Sequence, residues 1–276
     1  MDPLIDAEAL RDRLRGSDPP RLLDVRWRLG GSSGIDDYRS GHLPGAVYVD
    51  LERELSGPPG AGGRHPLPDG AVLQTAMRRW GLDDGTPVVV YDADTSLAAA
   101  RAWWLLRWAG HGDVRVLDGG LAAWVASGGA VAIDLPAAAA GTATVRAGSI
   151  PALDAESAAR TAAEGVLVDV RAPERFSGQV EPVDPIGGHI PGAVNVPVGA
   201  SLAADGRFRT AGELRAHFDR ALGRDRRMVG IYCGSGIAAA QQAIALERVG
   251  IEAVVYAGSW SDWITDDRRP VAAGDG

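Results

Sequence analysis

The sequence predicts an α/β protein built from two tandem copies of one domain, each a mostly parallel sheet flanked by helices. Three observations carry that expectation. Short apolar runs alternate with helical patterns along the whole chain. Four elements recur, in the same order, in the second half. And a chain of 276 residues has room for two modest cores.

The elements follow in order. Residues 21–26 form the first clear strand, with Asp24 and Arg26 at its C-terminal end. Residues 30–38, rich in glycine and serine, read as loop. Residues 41–46 (GHLPGA) make a turn that feeds a strand over 47–51. A long loop dense in Gly and Pro covers 56–70. Then come a helix over 71–80, a strand over 87–91 and a helix over 96–109. A strand over 114–117, a Gly119-Gly120 turn and a short helix over 121–126 complete the first copy.

The second half repeats this. Residues 166–171 (VLVDVR) match 22–26 (LLDVR), and 188–193 (GHIPGA) match 41–46. Residues 229–232 (VGIY) match 88–91 (VVVY), and 256–263 (YAGSWSDW) match 117–124 (LDGGLAAW). Residues 133–150, rich in Ala, Gly, Thr and Pro, read as the linker. The domains are therefore expected at 1–132 and 151–276.

Composition narrows the function. Hydrophobic residues at 46% and charged residues at 23% are those of an ordinary soluble globular protein. A net charge of −8 argues against non-specific nucleic-acid binding, which wants the opposite sign. The charged, amphipathic N-terminus is not a secretory signal. No apolar run is long enough to predict a membrane span. A single cysteine excludes an internal disulfide and fits a reducing, cytoplasmic setting. One Cys and five scattered His offer no spaced metal-ligand set.

That single cysteine, Cys233, lies where the strand over 229–232 ends and a helix over 237–249 begins, with Gly-Ser-Gly between. A helix N-terminus aims N–H groups at the sulfur and favours the thiolate. A lone Cys is also a good small core residue, but the flanking glycines favour the nucleophile. The first copy has Asp92 at this position, followed by Ala93-Asp94-Thr95 in place of the glycine turn. It is expected to be catalytically inactive and to contribute a wall to the site.

With those residues in view, the chain resembles the two-domain rhodanese family of sulfurtransferases. Both copies carry Asp-Val-Arg and G-H-[LI]-P-G-A, and only the second carries the Cys loop. The loop Cys233-Gly234-Ser235-Gly236-Ile237-Ala238 is similar to the C-G-[SA]-G-V-T loop of the 3-mercaptopyruvate branch. It lacks the basic residues of the C-R-K-G-V-T loop in the thiosulfate branch. Ile237 and Ala238 depart from the first pattern, and Ala238 removes a hydroxyl.

The resemblance implies two rhodanese-like domains and a Cys233 persulfide cradled by the loop, with Gly234 and Gly236 leaving its backbone open. It implies a relay in which Ser235 works with a histidine and an acid from the first domain. The matching positions are His65, on the long glycine-rich loop, and Glu52, with Asp50 as competitor. Ser235 and His65 also read simply as a turn residue and an exposed loop residue. Donor oxyanions want guanidinium forks, and Arg171 and Arg175, just after a strand, are the candidates. Arg171 has a structural alternative, because Arg26 holds its place in the inert copy. His42 and His189, present in both copies, are expected to be structural; His111 and His217, near helix ends, to be solvated.

The expected function is sulfur transfer from 3-mercaptopyruvate through Cys233 to a thiol, a thioredoxin-type protein or cyanide, releasing pyruvate, with no metal or organic cofactor. Thiosulfate as donor, with sulfite released, is the alternative; a non-catalytic binding module is a further one. A cysteine phosphatase needs an arginine six residues after the Cys, and position 239 is Ala.

Overall fold

The computed structural model describes residues 2–31, 34–136, 139–223 and 228–274. It divides into two compact units. The first comprises Met1–Gly57, Pro68–Ile150 and Ala204–Arg207; the second comprises Pro58–Leu67, Pro151–Ala203 and Phe208–Gly276. The glycine-rich loop of the first sequence repeat thus clusters with the second unit.

The first unit contains β1 (Leu4–Ile5), α1 (Ala7–Leu14), β2 (Arg21–Asp24), α2 (Ile35–Ser40), β3 (Val47–Tyr48) and α3 (Leu51–Glu54). It continues with α4 (Gly70–Arg79), β4 (Val88–Tyr91), α5 (Leu97–Trp108), β5 (Val114–Leu117) and α6 (Gly120–Ala126). Its sheet has the order β1-β5-β4-β2-β3, with every pairing parallel. All four residues of β4 are buried, as a parallel strand covered on both faces requires. Val89 and Tyr91 join Leu10, Leu22, Leu43 and Trp124 in one apolar cluster.

The second unit repeats the plan with β6 (Ala152–Leu153), α7 (Ala155–Glu164), β7 (Leu167–Asp169), α8 (Pro173–Phe176) and β8 (Val194–Asn195). After a 3-10 turn at Val198–Ser201 come α9 (Ala211–Leu222), β9 (Met228–Tyr232), α10 (Ile237–Glu247), β10 (Glu252–Tyr256) and α11 (Ser259–Trp263). The parallel sheet runs β6-β10-β9-β7-β8. Helix α10 is buried almost all round, which is why alanine dominates it: a helix enclosed on every side needs small side chains for close approach.

The repeated motifs turn out to be one strand-end lock, built twice. Asp24 pairs in register with Tyr91, and Asp169 with Tyr232. The buried Arg26 guanidinium grips Asp24 (Nε to Oδ1, 2.6 Å) and donates to the Gly41 carbonyl (2.8 Å). Arg171 does the same with Asp169 (2.6 Å) and the Gly188 carbonyl (2.5 Å). The tyrosine hydroxyls accept the amides of Leu43 (2.9 Å) and Ile190 (3.1 Å). His42 and His189 stack on Tyr38 and Phe176 and bond the carbonyls of those residues through Nδ1, each at 2.8 Å. Both histidines are buried.

Four details differ from the sequence reading. Within residues 30–38, taken as loop, α2 begins at Ile35 because Tyr38 packs into the core; residues 32 and 33 lie outside the described residues. The strand expected over 47–51 ends at Tyr48, because Asp50 caps α3 through the amides of Glu52 and Arg53. His111, expected to be solvated, is buried and bonds the Thr86 carbonyl (2.6 Å). The linker over 133–150 includes residues 137 and 138, outside the described residues; its later part is tied to the first unit by Gly141 to Arg78 (2.8 Å) and Arg146 to Ala109 (2.7 Å).

Candidate active site

Cys233 follows β9 directly and is buried. The turn back into α10 needs a left-handed residue, which Gly236 supplies with φ +80°. The Gly236 amide points at the Cys233 Sγ, 3.1 Å away. The loop backbone is pinned from the other side by α11: Trp260 N–H donates to the Cys233 carbonyl (3.0 Å) and Ser261 N–H to the Gly234 carbonyl (2.9 Å). Ser259 completes the clamp. Its Oγ accepts the Cys233 amide (3.1 Å), donates to the Tyr256 carbonyl (2.8 Å) and lies 4.0 Å from the sulfur. It does so from a strained backbone, φ +56°.

The Pro58–Leu67 loop brings two more groups. Gly60 and Gly63 bridge each other across its neck. Gly63 has φ +92°, and a Cβ there would lie 2.9 Å from both the Asp262 amide and the Gly258 carbonyl. The Arg64 amide donates to Ser261 Oγ (3.0 Å), and Thr265 Oγ1 to the Ala61 carbonyl (3.1 Å). So held, the buried His65 places Nδ1 2.7 Å from Ser235 Oγ, two residues from the sulfur.

Arg64 and Arg175 border the Cys loop. A Cβ on Gly234 would lie 2.8 Å from an Arg64 terminal nitrogen and 3.6 Å from both of Arg175. Arg175 is held by Glu181 (Nε to Oε2, 2.9 Å) and by Asp184 (2.9 Å); Arg64 pairs with the other oxygen of Asp184. Burial pulls the Arg64 guanidinium below its usual range, with the Cys233 charge pulling the other way. Arg171 is committed elsewhere. Its nitrogens serve Asp169, the Gly188 carbonyl and Glu181 (3.3 Å), beneath the Trp260 ring at 4.7 Å.

The first unit shows what this turn becomes without a cysteine. Asp92 folds its own carboxylate into the amide cradle. Oδ1 accepts from Ser96 (2.9 Å) and Asp94 (3.2 Å), and Oδ2 from Ala98 (2.9 Å) and Ala99 (3.3 Å). Burial outweighs these bonds and pushes Asp92 up to about 6. The residue opposite Ser259 is Gly120, with nearly the same φ of +57° and no side chain.

Comparison with known proteins agrees with this architecture. The rhodanese-like domain profile matches residues 6–127 and again 153–266. The chain belongs to the rhodanese family. A Mycobacterium tuberculosis protein, SseB, provisionally named a thiosulfate sulfurtransferase, is 48% identical over 98% of this chain and 97% of its own. A Pseudomonas aeruginosa protein provisionally named a 3-mercaptopyruvate sulfurtransferase is 44% identical over 99% and 98%. Among solved structures, the 3-mercaptopyruvate sulfurtransferase SseA of Escherichia coli superposes with a TM-score of 0.83 at 28% identity, covering 95% of this chain and all of that one. Sulfur transfer is therefore the chemistry of this rhodanese.

Of the residues singled out in the sequence, the second unit brings together Cys233, Gly234, Ser235, Gly236, His65 and Arg175. Ile237 is buried as the first residue of α10, and Ala238 beside it is partly exposed. Glu52 lies on α3 of the first unit and accepts the Trp27 indole N–H (2.7 Å); its competitor Asp50 caps that helix. Arg64, Glu181, Asp184 and Ser259 were not anticipated. For Ser259 a signal existed: the matched octets set it against glycine.

Proposed function

We propose that this rhodanese moves sulfur from 3-mercaptopyruvate through a persulfide on Cys233 to a thiol or cyanide acceptor. The Cys233 thiolate attacks the donor's thiol sulfur. The S–S bond forms, the C–S bond breaks, and the thiol proton passes to the departing enolate carbon, giving pyruvate. Cysteine sulfur is oxidised and the donor carbon reduced, with no outside oxidant. The Gly236 amide and the start of α10 stabilise the anionic sulfur. Arg64 and Arg175 hold the donor's carboxylate; Arg171 supports them through Glu181. Glu52 remains a candidate acid for the relay. A small thiol protein of the thioredoxin type and a cytoplasmic setting suit a thiolate carrier.

One observation carries the choice of donor: the buried contact of 2.7 Å between His65 Nδ1 and Ser235 Oγ. A keto-thiol donor must have a proton moved from sulfur to carbon, and a positioned hydroxyl–imidazole pair does that. Thiosulfate needs no proton transfer to release sulfite. The M. tuberculosis relative's name favours thiosulfate, so both donors belong in the test. The assay is kcat/KM on each, with intact mass after single turnover. Wild type should gain one sulfur atom and Cys233→Ser none. Ser235→Ala should lose about 100-fold on mercaptopyruvate and little on thiosulfate. Equal losses on both donors, or a wild type that prefers thiosulfate, would sink the donor assignment.

A further inference from the structure

The arginines beside the Cys loop do not present their full charge. Three guanidiniums, Arg64, Arg171 and Arg175, meet three carboxylates, Asp169, Glu181 and Asp184. The charges cancel. Asp169 belongs to the strand-end lock that both copies share. Asp184 does not: it has no counterpart in that lock, its side chain is 3% exposed, and its two oxygens divide between Arg64 and Arg175. Those are the two guanidiniums that reach Gly234. A buried carboxylate spanning the pair halves what they can offer an incoming anion, while the thiolate adds a negative charge of its own.

We infer that Asp184 is a selectivity residue: by discounting the charge of Arg64 and Arg175, it fits the site to a singly charged keto-thiol and turns away doubly charged donors such as thiosulfate. The inference rests on the reading that Arg64 and Arg175 hold the donor's anionic end. A single carboxylate finds the free edges of two guanidiniums already held in place. A dianion finds a neutral cluster beside a thiolate, in a partly buried setting where unbalanced charge is poorly screened.

The test is Asp184→Asn, which keeps the shape and an acceptor oxygen but removes one charge. The ratio of kcat/KM for thiosulfate to that for mercaptopyruvate should rise about tenfold, and the thiosulfate reaction should become more sensitive to salt. Glu252→Gln, an equal change of charge at the exposed start of β10, should leave the ratio where it was. An unchanged ratio in Asp184→Asn, or an equal rise in Glu252→Gln, overturns the inference. Should Asp184→Asn not fold, the wild type still decides: at fixed ionic strength pyruvate should compete with the donor and sulfate should not. Stronger inhibition by sulfate overturns it. Should Cys233 take sulfur from neither donor, it is the reading of the reaction that has failed.

Discussion

Replacing Ser259 by glycine tests how the loop is held, and the chain has already made this exchange at Gly120. Two effects oppose. A non-glycine residue at φ +56° costs about 1 kcal/mol, which glycine relieves. Against this, the hydrogen bonds to Cys233 N and from Ser259 to Tyr256 O contribute about 1 kcal/mol each, and the orphaned, buried Cys233 amide adds a penalty of about 1–3 kcal/mol. Ser259→Gly should therefore lose about 2–4 kcal/mol. Ser259→Ala keeps the strain and loses the same bonds, so it should be about 1 kcal/mol worse still. At an ordinary buried position alanine beats glycine; here the order reverses. Sulfur loading of Cys233, read by mass in a rapid-quench series, should slow about tenfold in both, because the amide that fixes the sulfur's position has lost its anchor. Denaturant titration gives the stabilities. If alanine proves more stable than glycine, the strain argument is wrong; if loading is as fast as in wild type, Ser259 does not position the sulfur.

Two further outcomes follow from the same geometry. Gly63→Ala puts a Cβ against backbone atoms of α11, so it should release the loop that carries Arg64 and His65. Activity on mercaptopyruvate should fall at least tenfold while the far-UV circular dichroism stays native; wild-type turnover would show that the loop tolerates the shift. Asp92 has a folded pKa of about 6, raised by burial from 3.8. Its contribution is thus fully present below about pH 4 and lost as pH rises through 6, by about 3 kcal/mol at most. The stability of wild type relative to Asp92→Asn should fall across that window, and a difference that is flat or rises with pH contradicts the assignment.

The sequence was most legible where structure is local. GHLPGA and Asp-Val-Arg are turn and strand-end chemistry complete within a few residues, so their repetition revealed the duplication. The strand–glycine–helix setting of Cys233 is equally local. What stayed hidden depends on closure of the fold. Arg64 acquires meaning from Asp184, far along the chain, and no spacing rule links them. The match of Arg171 to Arg26 already pointed to a structural role, and Arg171 is consumed by the strand-end lock while Arg175 reaches the Cys loop. Residues 35–40 escaped notice as a helix because a six-residue turn among glycines and serines shows no sustained period, although Tyr38 anchors it.

The exchange of Pro58–Leu67 into the second unit bears on autonomy. Cutting the gene at the linker would divide the repeats cleanly and the chemistry badly. A fragment over 151–276 would keep Cys233, its amide cradle and Arg175, but would leave Arg64 and His65 behind on the other piece. The first copy, with Asp92 in place of the cysteine, is for that reason not dispensable. It cannot be lost, or replaced by an unrelated domain, without taking Arg64 and the His65 partner of Ser235 with it, and that dependence would hold the two halves together in one reading frame.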